Sequence, residues 1–600
     1  MTPGRATPLD APAGALSQGA VAGAGPEAAA ATPDPLRGLA GLRLRPGVAV
    51  TALRAGLHLR GRRSAVTLEG GAALPALWRL LAEPLRTGDT GPLDRQAPPG
   101  SPVRAALGTV LAQLRAHDLL VEPGDGTAGP WLLDAAERPA DAAAALAAAR
   151  PRVLGAEPGG PLAPAAVRAL VRAGAAPSYA GRAGAAPGQV LLRTAGPAAL
   201  AVAARVCGGT GFVTAPAGPE QALADAAALS ARLGLDPAEP PAPVLAALVA
   251  GAAAQRLLCA VAGLPDPATE GEDPRLLPGR PAVLVAGTGP LRADHRPWLG
   301  GEPLDQDRAA PGAAPATLAE AMHRVAALGD ERIGVLPAAE PGALPQLPAA
   351  LASCAVAGDA LLAGAPRTDL ARLEALCRAA ELRLGAVTVG ADPGHAWGRA
   401  LRRAAAAGSG RVGLGGPGGR PAELSAASWS ADPQARHWWS TLTDRLGVRA
   451  ELRVAPLAPG AAAFHAVVLG AGGRLLAEAV EATAADAAAF AALAATAGVQ
   501  GAPHRPAHSW AAVRPVTCSG GAAAVLATAG ARRAGWEDRR WTSGWLAEVA
   551  SREPELQVAL RRLTGLRAAL RAPAGPDART VATGLHGAGF TVLHTLGGPR

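Results

Sequence analysis

The sequence predicts a multidomain α/β chain, and three observations predict it. At 600 residues the chain is too long for one hydrophobic core, so three or four domains is the natural partition. Hydrophobic residues make up 49%, enough to fill those cores, and with aromatics at 3% the packing must be aliphatic. The third observation is a change of period. Short alternating segments joined by tight turns near the N-terminus give way to apolar strands that alternate with helical stripes.

Residues 1–38 are rich in Ala, Gly, Pro and Thr without an apolar period, and they read as a disordered tail. Residues 39–130 are the most legible. Gly47–Leu53 reads as a strand, Leu57–Arg60 can return, and Ala65–Glu69 can follow a second turn at Arg62-Arg63-Ser64. Leu74, Leu77, Trp78 and Leu81 then fall at helical spacing. Ser101 and Pro102 open another helix as N-cap and first residue. On that helix Val103, Leu107, Val110, Leu111 and Leu114 form one stripe, and Leu119-Leu120-Val121 adds a strand. A small sheet plus helices is the pattern of a winged helix-turn-helix.

From about residue 150 the pattern becomes βα. Arg152–Gly155, Gln189–Leu192, Gly211–Thr214 and Pro281–Val285 read as strands, and Leu162–Ala173 and Pro243–Ala262 as helices, which argues for a parallel sheet. Glycines and prolines between 300 and 316 mark a linker. Residues 311–600 mix helices (Thr317–Leu328, Thr368–Leu384, Ala484–Ala497, and one running from Thr542 toward Leu570) with short strands such as Ala461–Leu469 and Gly589–Leu593.

Several chemistries are excluded by composition. The net charge is +9, and every basic residue among the 57 Lys+Arg is arginine. Without lysine there is no Schiff base, Walker-A lysine or kinase-type lysine, and arginine does not serve as a general base at neutral pH. The densest basic spots are Arg60/Arg62/Arg63 and Arg532/Arg533/Arg539/Arg540, too short for a nucleic-acid stripe, so no nucleic acid is expected. Cys207, Cys259, Cys354, Cys377 and Cys518 form no C-x-x-C pair, which argues against a structural zinc site and a disulfide scaffold. No signal peptide opens the chain and no apolar run of about 18 residues reads as a membrane span, so the expectation is a cytoplasmic protein without a membrane partner.

Few motifs survive inspection. The turn Gly155-x-x-x-Gly159-Gly160 lies where a phosphate loop would lie, but its spacing is wrong and Pro158 interrupts it. Gly413-x-Gly415-x-x-Gly418 matches a dinucleotide fingerprint by count, with Pro417 and Pro421 at the would-be helix start; a loop is the plainer reading. Pro506 breaks the helix that would align His504 and His508, and no third ligand is evident, so no metal is expected. No G-x-S-x-G elbow is present. Glu374 and Glu381, two turns apart on one predicted helix, share a face that could hold Mg2+ and nucleotide phosphates. The nearby Arg372, Arg378 and Arg383 make a solvated ion-pair face the plainer reading.

The order of parts carries a resemblance. Leu44-Arg45-Pro46-Gly47, Gly56–Gly61, Val66–Gly70 and Leu119–Val121 together resemble the leader-recognition domain of azole-forming peptide-modification systems. Val283-Leu284-Val285 with His295-Arg296-Pro297-Trp298 look like the ThiF-type partner protein of those systems. Asp330–Leu336, Leu344–Pro348 and the helix Ala371–Glu381 are similar to the opening and the glutamate-bearing helix of a YcaO-like domain. The family is the ThiF-like cyclodehydratase partner of thiazole/oxazole-modified peptide, thiopeptide and bacteriocin pathways.

The resemblance implies an N-terminal winged helix (39–130), a degenerate ThiF-like α/β domain (131–310) and a degenerate YcaO-like α+β region (311–600). It implies a chain that binds the precursor's leader as an extra strand on Ala65, Val66, Thr67, Leu68 and Glu69, walled by Val103, Leu107, Val110, Leu111 and Leu114. A YcaO cyclodehydratase partner would use ATP and Mg2+ to form azolines, and a flavin azoline dehydrogenase would be a further partner. Because the phosphate loop, the C-x-x-C pairs and part of the carboxylate set are missing, both enzyme-derived scaffolds are expected to be non-catalytic docking parts with no cofactor of their own. The rivals are a diverged cyclodehydratase in which Glu374 and Glu381 hold Mg·ATP, and a winged-helix DNA-binding regulator. The latter is disfavoured because Arg104 and Arg115 are the only basic residues of the second helix.

Overall fold

The computed structural model describes residues 34–71, 73–123, 129–155, 160–182, 185–196, 198–236, 239–270, 273–302, 304, 310–356, 359–412, 422–504, 516–530, 542–569 and 575–596. The chain divides into two compact units, Met1–Ala143 and Ala144–Arg600.

In the first unit β1 (Arg43–Leu44) pairs antiparallel with β5 (Leu120–Val121). A separate antiparallel meander is built from β2 (Ala49–Leu53), β3 (Gly56–Arg60) and β4 (Ala65–Glu69), with β3 in the middle. Helices α1 (Leu74–Thr87) and α2 (Pro102–Ala116) pack with it. The α2 cap is the one the sequence implies: Ser101 Oγ accepts the Arg104 N–H at 3.2 Å with Pro102 in the first turn. Leu57 and Leu59 of β3 join Leu81, Leu85, Leu107, Leu111 and Leu114 in one core. Part of the expected tail is ordered. Leu36 is buried in this core, and Arg104 clamps Asp34 with Nε–Oδ1 at 2.7 Å and Nη2–Oδ2 at 2.6 Å. That hydrogen-bonded guanidinium holds the Asp34 carboxyl down at about 2.

The second unit opens with a seven-stranded sheet in the order β12-β11-β10-β9-β8-β6-β7. Its strands are β6 (Arg152–Gly155), β7 (Ser178–Gly181), β8 (Gln189–Arg193), β9 (Ala201–Cys207), β10 (Thr210–Val213), β11 (Ala282–Thr288) and β12 (Leu291–Pro297). The expected parallel sheet is corrected: only β6 and β7 run parallel. The reason is connectivity. A helix, α3 (Leu162–Arg172), separates β6 from β7, whereas β9–β10 and β11–β12 are joined by two-residue turns, which force antiparallel pairing, and β8 and β9 are joined without a crossover helix. Helices α4 (Pro219–Arg232) and α5 (Pro243–Val261) pack on the sheet.

Helix α5 revises another expectation. It is 19 residues long with mean hydropathy 1.9, enough by length and composition to cross a membrane. In the structure it lies against α3 and strands β8–β11. Arg256, near its middle, is 1% exposed, chelates Asp266 and donates to the carbonyls of Val213 and Ala282. A core helix satisfies both features.

The remainder is α+β. Helix α6 (Leu318–Leu328) precedes a hairpin of β13 (Ala350–Val356) and β14 (Asp359–Ala365), on which α7 (Thr368–Leu384) packs. Strand β15 (Thr388–Gly390) leads into α8 (Pro393–Val412). Strands β16 (Glu451–Pro456), β17 (Phe464–Leu469) and β18 (Leu475–Glu481) form a meander covered by α9 (Ala484–Gly501). Strand β19 (Thr517–Cys518) extends the β13–β14 sheet, and α10 (Thr542–Thr564) packs on α8. Strands β20 (Arg567–Ala569) and β21 (Thr591–Leu596), with α11 (Pro576–Gly587) between them, complete the sheet that contains β15. The seven-stranded region and this part share one unit: Ile333 packs in the core of the seven-stranded sheet, and Arg296 Nη1 meets Asp330 Oδ2 at 2.6 Å.

Candidate functional site

Two places carry residues that the sequence singles out. The first is β4. The two-residue turn after β3 is closed by Gly61 N–H on the Ser64 carbonyl at 2.9 Å. With Leu59 opposite Val66 and Leu57 opposite Leu68, alternation then points the backbone groups of Val66 and Leu68 at β3. Those of Ala65, Thr67 and Glu69 face outward on the free edge. The side chains follow the same period: Val66 is buried and Leu68 half-buried, while Ala65, Thr67 and Glu69 are exposed. Thr67 Oγ1 meets His58 Nδ1 at 2.9 Å on the exposed face.

The expected wall is corrected. Leu107, Val110, Leu111 and Leu114 are buried in the core of this unit, and of the five only Val103 is exposed, at 38%. A three-stranded meander has one apolar face to cover, and the α2 stripe is consumed in covering it. Strand addition at β4 would therefore rest on edge hydrogen bonds and the exposed Ala65, Thr67 and Glu69.

The second place is a layer of buried ion pairs around α8. Glu374 and Glu381 share a face of α7, as their spacing predicts, but they are buried rather than solvated, and their partners come mainly from another helix. Arg399 bridges both, with Nη1 on Glu374 and Nη2 at 3.0 Å from Glu381 Oε1. Arg403 Nη2 (2.8 Å) and Arg378 Nη1 (3.0 Å) share Glu381 Oε2, and the Val389 N–H reaches Oε1 at 3.1 Å. Arg372 turns away to Glu340 and the Ala339 carbonyl. Burial alone would push the Glu381 carboxyl up; the Arg399 and Arg403 charges outweigh it and hold it at about 2.

One turn further along α8, Arg402 repeats the arrangement. Its Nε and Nη2 meet Glu481 at 3.0 and 2.6 Å, and its Nη1 and Nη2 meet Glu553 at 2.9 and 2.6 Å. The Gly521 N–H adds a second donor to Glu481 Oε1 and Gln557 Nε2 a second donor to Glu553 Oε1, each at 2.9 Å. Burial opposes the Arg402 charge, but the two carboxylates overcome it and raise its pKa. Four carboxylates thus face four guanidiniums. The sequence reading missed Arg399, Arg402, Arg403, Glu481 and Glu553. The one local signal was the spacing of Arg399, Arg402 and Arg403, which would bring them to one side of a helix, although no helix was expected there.

These groups are poorly suited to Mg·ATP. A magnesium site needs carboxylate oxygens with open lone pairs. Here Glu381, Glu481 and Glu553 have every oxygen occupied by an N–H donor, and Glu374, with Oε2 on Arg399, keeps only Oε1, too few open oxygens to fit the ion. Among the described residues no group of three or more His, Cys, Asp and Glu could hold a metal. The Gly155 turn and Gly413–Gly418 fall largely outside the described residues, as does His508. Three cysteines are held as thiols, since burial pushes Cys354 up to about 12 and raises Cys377 and Cys518 as well.

His395, 4% exposed at the start of α8, accepts the Ala391 N–H on Nδ1 at 3.1 Å. Burial, then the Arg399 and Arg402 charges, lower its pKa to about 3. The unfolded imidazole binds protons at about 6.5, so the unfolded chain takes up more protons and stability falls as pH drops below that value. Between pH 6.5 and 5 the loss should be about 1–2 kcal/mol. A second decline from Glu381 should follow between about pH 4.5 and 2. Urea titrations at pH 7 and pH 5 check this: His395→Gln should shrink the first decline to the part left by His295, His437 and His586, which burial also lowers, and an equal loss in that variant would refute the assignment.

No protein-family model matches the chain, and no curated protein matches it. Solved structures do. A heterocyclase in complex with substrate and cofactor aligns over 92% of this chain and 94% of its own, at 12% identity and TM-score 0.50. The heterocyclase TruD aligns over 93% and 94%, at 14% identity and TM-score 0.46. The fold is similar to that of a heterocyclase. The likeness spans both units and carries no sequence relationship beyond the fold.

Proposed function

We propose that the chain binds the leader of a ribosomally made precursor peptide as an added strand on β4 and presents it to a separate YcaO cyclodehydratase. In this reading ATP and Mg2+ are used by the partner, which closes core Cys, Ser or Thr residues onto the preceding amide to give thiazolines or oxazolines. A flavin azoline dehydrogenase acts on the product, and all of this takes place in the cytoplasm. The fold shared with a heterocyclase supports a place in azoline formation. The observation that carries the scaffold role is the internal neutralisation of Glu374, Glu381, Glu481 and Glu553 by arginine. In this chain the arginines stand where a nucleotide's cation would need open oxygens.

The leader-binding half is tested by fluorescence anisotropy with a labelled leader peptide encoded beside this chain. Saturable binding in the micromolar range is expected, and none at tens of micromolar would defeat the reading. Thr67→Pro removes one outward N–H, which an edge strand tolerates, and should weaken binding at least tenfold, or about 1.4 kcal/mol. Ala52→Pro on the opposite edge, β2, should leave it unchanged. The buried Val66 is a poor probe, because a charge there would disturb the core.

A further inference from the structure

Beside the seven-stranded sheet lies a cavity that the proposed function does not use. It measures about 580 Å³, within the range of roughly 300–1,000 Å³ typical of small-molecule sites. Ala260 of α5, Ala215 and Pro216 after β10, and Leu264, Leu276 and Leu277 from the connection to β11 give it an aliphatic wall. Asp266, Asp273, Arg256 and Arg280 supply its charges.

Three of these charges are already matched. Asp266 is chelated by Arg256, and Asp273 accepts Arg275 Nε and Nη2 at 3.0 and 2.7 Å. Arg280 is different. Among the described residues no carboxylate lies within ion-pair distance of it, and its one side-chain hydrogen bond runs from Nη2 to the Ala310 carbonyl at 3.0 Å. Burial lowers its pKa with no acid to offset the effect. The neighbouring Arg324 offers it no relief, since it carries the same charge and is itself disfavoured by Arg280. A half-buried, unmatched guanidinium on an aliphatic cavity is complementary to one kind of molecule: a hydrocarbon body ending in a carboxylate, which the planar fork can grip with two parallel hydrogen bonds.

We propose that this cavity binds an aliphatic carboxylate, with the hydrocarbon against Ala260, Leu264 and Leu276 and the carboxylate on Arg280. Such a group occurs in a free fatty acid and at the C-terminus of a peptide ending in an aliphatic residue. Calorimetric titration of the full chain with octanoate, octanamide, acetyl-leucyl-leucine and its C-terminal amide separates the two. At least one acid should bind saturably, with the matching amide at least tenfold weaker; whichever acid binds identifies the source. Arg280→Met should weaken binding at least tenfold. Ala260→Phe, which fills the cavity and leaves Arg280 in place, should abolish it, whereas Arg275→Met should have no effect. Failure of both acids to bind at millimolar concentration would overturn the proposal, and so would undiminished binding in either Arg280→Met or Ala260→Phe. Neither result bears on leader binding at β4.

Discussion

Replacing Arg402 by methionine should cost the second unit about 3–5 kcal/mol, because it strands two buried carboxylates that keep only the Gly521 N–H and Gln557 Nε2 as donors and lose the opposing charge of Arg402. Glu481 and Glu553 are 1% and 3% exposed, so water cannot take over the role of the guanidinium. The triple variant Arg402→Met/Glu481→Gln/Glu553→Gln should recover more than half of that loss, since removing all the charges together removes the penalty. The urea transition of the intact chain reads both effects. A single variant within about 1 kcal/mol of the parent would mean that these groups are not paired in a dry core.

The second large effect concerns ATP. With precursor peptide present, this chain alone should hydrolyse ATP no faster than buffer. Adding a YcaO cyclodehydratase should give precursor-dependent turnover and azolines, seen as a loss of one water per ring in the peptide mass. Thr67→Pro should lower that turnover at limiting precursor. Turnover by the chain alone, abolished by Glu374→Ala, would refute the scaffold reading and favour a diverged cyclodehydratase.

How much the sequence disclosed depended on how far apart the interacting residues lie. The meander, the Ser101 cap and helices such as Thr368–Leu384 are written in local periods and turn residues, and were legible. The antiparallel sheet was not. Its central strand β9, Ala201–Cys207, is buried at every position and shows no alternation, so neither strand nor direction could be read from it. The α8 ion pairs were invisible for another reason. Arg399 meets Glu374 across 25 residues, and Arg402 meets Glu481 and Glu553 across 79 and 151. An arginine of this kind looks like any surface arginine until the chain folds. The stripe on α2 failed in the opposite sense: its apolar pattern was correctly seen, but the pattern says only that a face is covered, not whether protein or ligand covers it.

The six residues from Glu481 to Asp486 have a consequence for how the molecule comes apart. Glu481 holds Arg402, Thr483 caps α9, and Asp486 accepts Trp545 Nε1 at 3.0 Å and Arg552 Nη1 at 2.6 Å. Helix α10 is therefore gripped at Trp545, Arg552 and Glu553 by one corner of the meander and by α8. It cannot fray independently without exposing charges on three other elements. Amide protons of α8, the β18–α9 corner and α10 should accordingly exchange through a single shared opening. A protease should therefore not release α10 from its neighbours without that shared opening.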